Sequence, residues 1–284
     1  MDVLLASLVD GLLIGFVYGL AAMGLTLIFG VMDVVNLSHG ALIALGMFGV
    51  YLLFTGLGLN PYIGLLIVLA LGIILGMILY GIAIHPLLDG PHLSTLLSTF
   101  AVSMIIIGIG TTIFTSTPRN IDINLGAMVL GPVRLQGTRV VAALVAVIVA
   151  TGLYLFMYRT HTGKSIRAVA NNRDAAELVG IPSVRILAFS FGLGTMLAMV
   201  SGGLIATLFP FSILSGGTYE LKSFVICVLG GLGNPTGALL GGLVLGLIEG
   251  LIPVFMPVGW TPVIEFTLFV LIILVRPSGI LGAR

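Results

Sequence analysis

Residues 34–88 read VVNLSHGALIALGMFGVYLLFTGLGLNPYIGLLIVLALGIILGMILYGIAIHPLL, an unbroken run without Asp, Glu, Lys or Arg. About 20 apolar residues carry a helix across the ~30 Å hydrocarbon core of a bilayer, so this run is too long for one crossing and must fold into two. Gly56 to Pro61 (GLGLNP) supplies the turn between them. Further uncharged runs at 11–32, 90–118, 140–158, 186–219 and 223–248 extend the pattern along the chain. Helices are predicted near 8–32, 34–56, 61–84, 93–117, 139–158, 185–210, 222–251 and 262–276. The expected fold is all-α, one polytopic transmembrane helix bundle over residues 1–284. It should have roughly eight to ten spans, with broken or re-entrant helices among them.

Composition agrees. Of 284 residues, 59% are hydrophobic and 7% charged, against roughly 25% charged in a soluble domain. A mean hydropathy of +1.27 makes lipid the solvent for most of the surface. The net charge of +1 excludes nucleic acid as a partner. Cys227, the lone cysteine, excludes a disulfide framework and a thiolate zinc site. At the start, MDVLLASLVDGLLIG carries Asp2 and Asp10 where a signal peptide would carry Lys or Arg, so it is expected to be the first helix of the mature chain.

All 11 basic residues lie at or after Arg119, and Arg159, Lys164, Arg167, Arg173 and Arg185 fall in one loop at about 159–185. The positive-inside rule puts that loop in the cytoplasm and, five crossings back, the N-terminus outside. Three crossings forward would leave Arg276 and Arg284 outside. The breaker GGLGNP at Gly230–Pro235 offers a solution, by splitting the 222–251 stretch into two passes or a re-entrant hairpin. Gly11, Gly15 and Gly19, like Gly242, Gly246 and Gly250, recur every fourth residue and so share a helix face suited to close packing.

The loop RTHTGKSIRAVANNRDAAELVGIPSVR is the one stretch that reads like soluble protein. Ile166, Val169 and Ala170 mark one short helix, Asn171 or Asn172 caps a second through Leu178, and Gly180 with Pro182 stops it. Such a pair is either an interfacial amphipathic element or a ridge whose small side chains fit a partner's groove. Gly163-Lys164-Ser165 mimics the end of a phosphate-binding loop, but Tyr158 stands where the pattern needs its first glycine, so nucleotide binding by this chain is not expected.

Asp174-Ala175-Ala176, three residues, then Gly180 resembles the EAA---G loop by which permeases of ABC importers dock on their ATPase. Gly163, Arg167-Ala168-Val169-Ala170, Asn172 and Ile181 resemble the longer form found in the branched-chain amino acid permease family. GLTLIFGVMDVVNLSHG (24–40), LGGLGNPTGALLGG (229–242) and VRPSGILG (275–282) are similar to that family's early and late segments, and the length resembles its smaller permease subunit. The resemblance implies an ATP-driven importer permease working by alternating access, in a bacterial inner membrane. It implies two ATPase subunits carrying the ATP, a second homologous permease and a periplasmic or lipid-tethered solute-binding protein. No cofactor is expected on this chain. Gly163, Arg167, Ala168, Asn172, Asp174, Ala175, Ala176 and Gly180 become the docking residues. Branched-chain amino acids or similar small solutes become the cargo.

Polar residues in the membrane are the candidates for the path, because they are costly in lipid. Asn36, Ser38 and His39 follow Asp33 at the first helix junction, and Thr95, Ser98, Thr99 and Ser103 recur at helical spacing. Each group has a structural reading, as caps or as hydroxyls bonded within helix contacts, and a functional one, as the lining of a mildly polar conduit. Glu220 and Lys222 are placed to pair, while Glu249 and Glu265 flank a proline-rich turn near the surface. HExxH, Gly-x-Ser-Gly and Gly-x-Gly-Asp do not occur, and His85 and His92 read as loop residues, so no catalytic or metal site is expected. A self-sufficient secondary transporter or channel is the alternative class, and a scaffold without a path is a third. A proton-coupled carrier needs a deep titratable group that most spans lack.

Overall fold

The structure, a computed structural model, describes residues 2–123, 125–130, 133–276 and 279–281. Pro277, Ser278, Gly282 and Arg284, which belong to the C-terminal motif and the charge count above, lie outside the described residues. Four helices come first, α1 (Asp2–Met32), α2 (His39–Leu57), α3 (Pro61–Leu79) and α4 (His92–Phe114), followed by a hairpin of β1 (Ala127–Leu130) and β2 (Val133–Gln136). Next come α5 (Gly137–Arg159) and the short α6 (His161–Asn171) and α7 (Arg173–Leu178). The chain closes with α8 (Ser183–Ala206), α9 (Ser215–Gly230), α10 (Pro235–Phe255) and α11 (Thr261–Val275). Eight of the described helices are long and apolar enough to cross a bilayer. The chain is therefore a multi-pass membrane protein of all-α character, with one small antiparallel hairpin that the hydrophobic pattern did not announce.

Several helices depart from their expected bounds: α1 begins at Asp2 rather than near 8, α8 ends at Ala206 rather than near 210, and α9 begins at Ser215 rather than near 222. Residues 34–38 are not helical; α2 starts at His39, whose Nε2 lies 3.0 Å from the Ala21 carbonyl of α1. At 1.5 Å per residue, Ala21 lies about 16 Å back from the end of α1. The chain thus leaves α1 at Asp33, which takes a left-handed turn (φ 54°), and runs back alongside it before α2 begins inside the bundle. The 222–251 stretch breaks at Gly231–Asn234 as anticipated. α9 has 16 residues, about 24 Å, short of a full crossing.

The same device occurs twice in opposite directions. After α8 the non-helical segment 207–214 turns back, pairing Phe211 with Arg119 at the end of α4, before α9 starts. The first turns of α2 and α9 then meet, with Gly40 and Gly216 in backbone contact where a Cβ has no room. On the flanks, Gly11, Gly15 and Gly19 of α1 lie against Gly250, Gly246, Gly242 and Leu239 of α10, and Gly72 and Gly76 of α3 lie against Met196 and Gly192 of α8. Spacing of four did mark packing faces.

This route also resolves the charge problem. Asp89, after α3, pairs with Arg173 of α7, so the ends of α1, α3 and α5 share one face with α6–α7. From there α8 leaves, α9 returns, α10 leaves and α11 returns. The C-terminal segment is held on that basic face, where Ile280 and Leu281 donate backbone N–H to Leu229 and Gly230. The peripheral helices α4 and α11 are inside-out: their buried residues are Thr95, Thr99, Ser103 and Gly110, and Thr261 and Glu265. Their apolar side chains face outward, as lipid or another membrane subunit requires.

Candidate functional site

Arg159–Arg185 folds as the predicted helix pair on the basic face. Thr160 caps α6, its Oγ1 accepting from Gly163 N at 3.0 Å, and Asn172 caps α7, its Oδ1 accepting from Ala175 N at 2.9 Å. Gly163 packs against the backbone of Phe156 and Met157 with no space for a Cβ, which folds α6 back on the end of α5. Gly180 takes φ 86° and lets Ile181 N donate back to Ala176 O at 3.0 Å, closing α7. Glu177 accepts from Ser183 Oγ and from Arg173, and these bonds hold its carboxyl below the ordinary carboxylate range. Arg167 lies over the Tyr158 ring at 4.4 Å.

The two alanines divide. Ala175 and Asp174 are exposed, whereas Ala176 is buried among Ile28, Tyr80, Leu187 and Phe191 from α1, α8 and the end of α3. Ala176 is small so that α7 can lie close on the bundle. Facing outward are two residues the sequence reading passed over, Leu178, the last residue of α7, and Val179 after it, 88% and 77% exposed. Two fully exposed aliphatic side chains on the most polar part of the chain are the signal that could have marked them.

Asn36, Ser38 and His39 are buried at the start of α2, and Thr99 of α4 bonds to the same segment, whereas Thr95 bonds His92 O within α4 and Ser98 bonds Ala83 after α3. Ser38 donates to Asn36 Oδ1 from its N–H (3.1 Å) and its hydroxyl (2.6 Å). Leu37 N donates to Thr99 Oγ1 at 3.2 Å, and Ser98 Oγ donates to Ala83 O at 2.6 Å. Thr99 Oγ1 and Asn36 Oδ1 thus accept from backbone N–H groups of the non-helical segment, while Ser98 serves the Ala83 carbonyl after α3. Asn36 Nδ2 and His39 Nδ1 are buried without a hydrogen-bond partner, and no side-chain cap forms at Ser38.

The remaining ionisable groups assemble elsewhere. Lys222 does not pair with Glu220; its Nζ lies 2.6 Å from Glu249 Oε2 and 3.4 Å from Glu265 Oε1. Tyr18 Oη donates to Glu249 Oε1 at 3.3 Å, and the Lys222 ammonium stands 4.7 Å from the Tyr18 ring centre. Arg139 pairs with Asp10 at 3.0 Å. All but Tyr18 border a cavity of about 800 Å³ between α1, α9, α10 and α11, on the face opposite α6–α7. Glu265, expected near the surface, is 5% exposed.

The family described as branched-chain amino acid transport system / permease component matches residues 7–275. Among curated proteins, the chain is 32% identical to the high-affinity branched-chain amino acid transport system permease protein BraD of Pseudomonas aeruginosa, over 98% of this chain and 95% of that one. It is 28% identical to LivH of Escherichia coli, over 98% and 95%. It is 27% identical to the probable permease LivH of Methanocaldococcus jannaschii, over 93% and 88%. Among solved structures, PsaBC from Streptococcus pneumoniae in complex with Fab shares the fold at a TM-score of 0.52 and 16% identity, covering 95% of this chain and 91% of that chain. With eight apolar spans, a capped helix pair on its basic face and a family match over nearly its whole length, the chain belongs to the branched-chain amino acid transport permeases and is the membrane-spanning component of such a system.

Proposed function

We propose that this chain is a permease subunit of an ABC importer in a bacterial inner membrane, moving branched-chain amino acids or chemically similar small solutes inward by alternating access. Two ATPase subunits seat on the α6–α7 pair, a second homologous permease completes the pathway, and a periplasmic or lipid-anchored binding protein delivers the solute. ATP is bound and hydrolysed on the partners. The observation that carries this reading is the tip at Leu178–Val179, exposed and aliphatic, on a short helix whose other side is locked into the bundle by Ala176. A groove on an ATPase closing over that tip would move α7 as a rigid lever, because its N-cap and its Gly180 stop are both satisfied. The junction of Asn36–His39 with Gly216, where two helix starts meet, is the point about which the halves would tilt.

Gentle solubilisation of the native membrane, capture through this chain and mass spectrometry test the reading. A P-loop ATPase and a second permease should co-purify. A chain recovered alone that moved solute into liposomes without ATP would replace the reading with a self-sufficient carrier or channel.

A further inference from the structure

We propose that the cavity between α1, α9, α10 and α11 binds an aliphatic α-amino acid through its ammonium group, with the Glu265 carboxylate as its principal acceptor. The inference rests on the reading of the chain as an amino acid permease and assigns the substrate's place within it.

The charges around the cavity do not balance. Three carboxylates (Asp10, Glu249 and Glu265) and two cations (Arg139 and Lys222) border the cavity. Asp10 is matched by Arg139 at 3.0 Å and Glu249 by Lys222 at 2.6 Å. Glu265 is left over: it reaches Lys222 only at 3.4 Å, and its Oε1 makes no hydrogen bond. The cluster is one cation short, in a part of the protein where an unmatched charge is costly.

Unused hydrogen-bonding capacity borders the same space. Thr261, one helical turn before Glu265, is 6% exposed, borders the cavity, and has an Oγ1 without a partner. An ammonium group has three N–H donors and no acceptor, and Glu265, Thr261 and Glu249 offer acceptors on adjoining walls. The substrate carboxylate would meet cations that also retain capacity: Arg139 Nε is buried and unbonded, and Lys222 carries three donors. The rest of the wall is apolar, with Ile14, Phe209, Leu221, Val225 and Phe266 against the side chain. A volume of about 800 Å³ lies within the range of small-molecule sites. The cavity lies on the face opposite α6–α7.

The test uses the complete transporter in liposomes, carrying Thr218→Cys as a reporter on the cavity wall; native Cys227 is 1% exposed and stays unlabelled. Thiol labelling at position 218 is followed with L-leucine, with isopentylammonium (the same chain without the carboxylate) and with 4-methylpentanoate (without the ammonium). Leucine and isopentylammonium should each slow labelling by about tenfold or more, and 4-methylpentanoate should not. Glu265→Gln and, separately, Thr261→Val should abolish protection by isopentylammonium and cut ATP-driven leucine uptake at least about tenfold, with complex yield unchanged. Labelling indifferent to leucine and isopentylammonium, in a transporter that does take up leucine, overturns the assignment and leaves the permease reading standing. A wild-type transporter that takes up no amino acid overturns the permease reading instead. In that preparation protection by isopentylammonium still decides whether the cavity is an ammonium site.

Discussion

Gly246 of α10 is pressed against the backbone of α1, and alanine there is the sharpest test of the packing. A Cβ on Gly246 would lie 2.5 Å from Gly15 Cα and 2.7 Å from Gly15 N, with Gly11 O nearer still, whereas ordinary contact begins at 3.4 Å. The obstructing atoms are all backbone, so no side chain can swing aside, and the helices must separate by about 1 Å, which weakens every contact along the seam. Overpacking of this kind costs about 1–3 kcal/mol. Alanine also gains about 1 kcal/mol of helix propensity over glycine. Gly108 of α4 provides the control, because a Cβ there meets nothing within 4 Å. The propensity gain cancels between the two variants, so Gly246→Ala should be less stable than Gly108→Ala by about 1–3 kcal/mol. Unfolding by SDS in mixed micelles, followed by far-UV circular dichroism, measures the difference. Equal stabilities, or a more stable Gly246→Ala, would refute the close approach of α1 and α10.

At the docking tip, Leu178→Asp combined with Val179→Asp should leave the fold within about 0.5 kcal/mol of wild type while ATPase recovery on the purified chain falls at least about tenfold, since burying one leucine contributes about 1.5–3 kcal/mol. Undiminished recovery would remove the tip from the interface. Asn172→Ala deletes the α7 cap and should cost about 1 kcal/mol, seen as faster amide exchange over 173–178, with Asn172→Asp restoring protection. Unchanged exchange in the alanine variant counts against the cap. For Glu177, a carboxyl held below its ordinary value of 4.5 stabilises the α7–α8 turn while it is ionised. That contribution is complete at neutral pH and is lost as pH falls through the lowered value. Amide protection factors at 176–183, taken relative to the intrinsic exchange rate at each pH, should therefore fall in acid in the wild type, whereas Glu177→Gln should show the lower protection already at neutral pH.

The spans were legible because lipid imposes a length and forbids charge, and both constraints are local. The short helix pair α6–α7 was legible for a similar reason: the cap at Asn172 and the stop at Gly180 act within a few residues, although the Thr160 cap of α6 went unread. What could not be read depends on distant partners. Residues 34–38 are apolar enough to be helical, yet they are not, and the partner that Leu37 N finds there is the hydroxyl of Thr99, 62 residues away. Lys222 chose Glu249, 27 residues away, over the neighbouring Glu220, because the rotations of α9 and α10 aim those side chains at each other. Rotation is weakly encoded where nearly every face is apolar. The roles of Ala175 and Ala176 were likewise indistinguishable until the orientation of α7 on the bundle was known.

The seam between α1 and α10 also sets a schedule for making the protein. α1 emerges from the ribosome well before α10, and its glycine face finds its partner only when Gly242, Gly246 and Gly250 have been synthesised, more than 200 residues after Gly19. At ~5–20 residues per second, that bare backbone stripe waits on the order of ten to forty seconds in the bilayer or the translocon. During that interval any other small-residue helix can occupy it. A nascent chain halted before α10 would therefore offer an adhesive first helix to its neighbours, and membrane chaperones and proteases would meet this chain first in that half-made form.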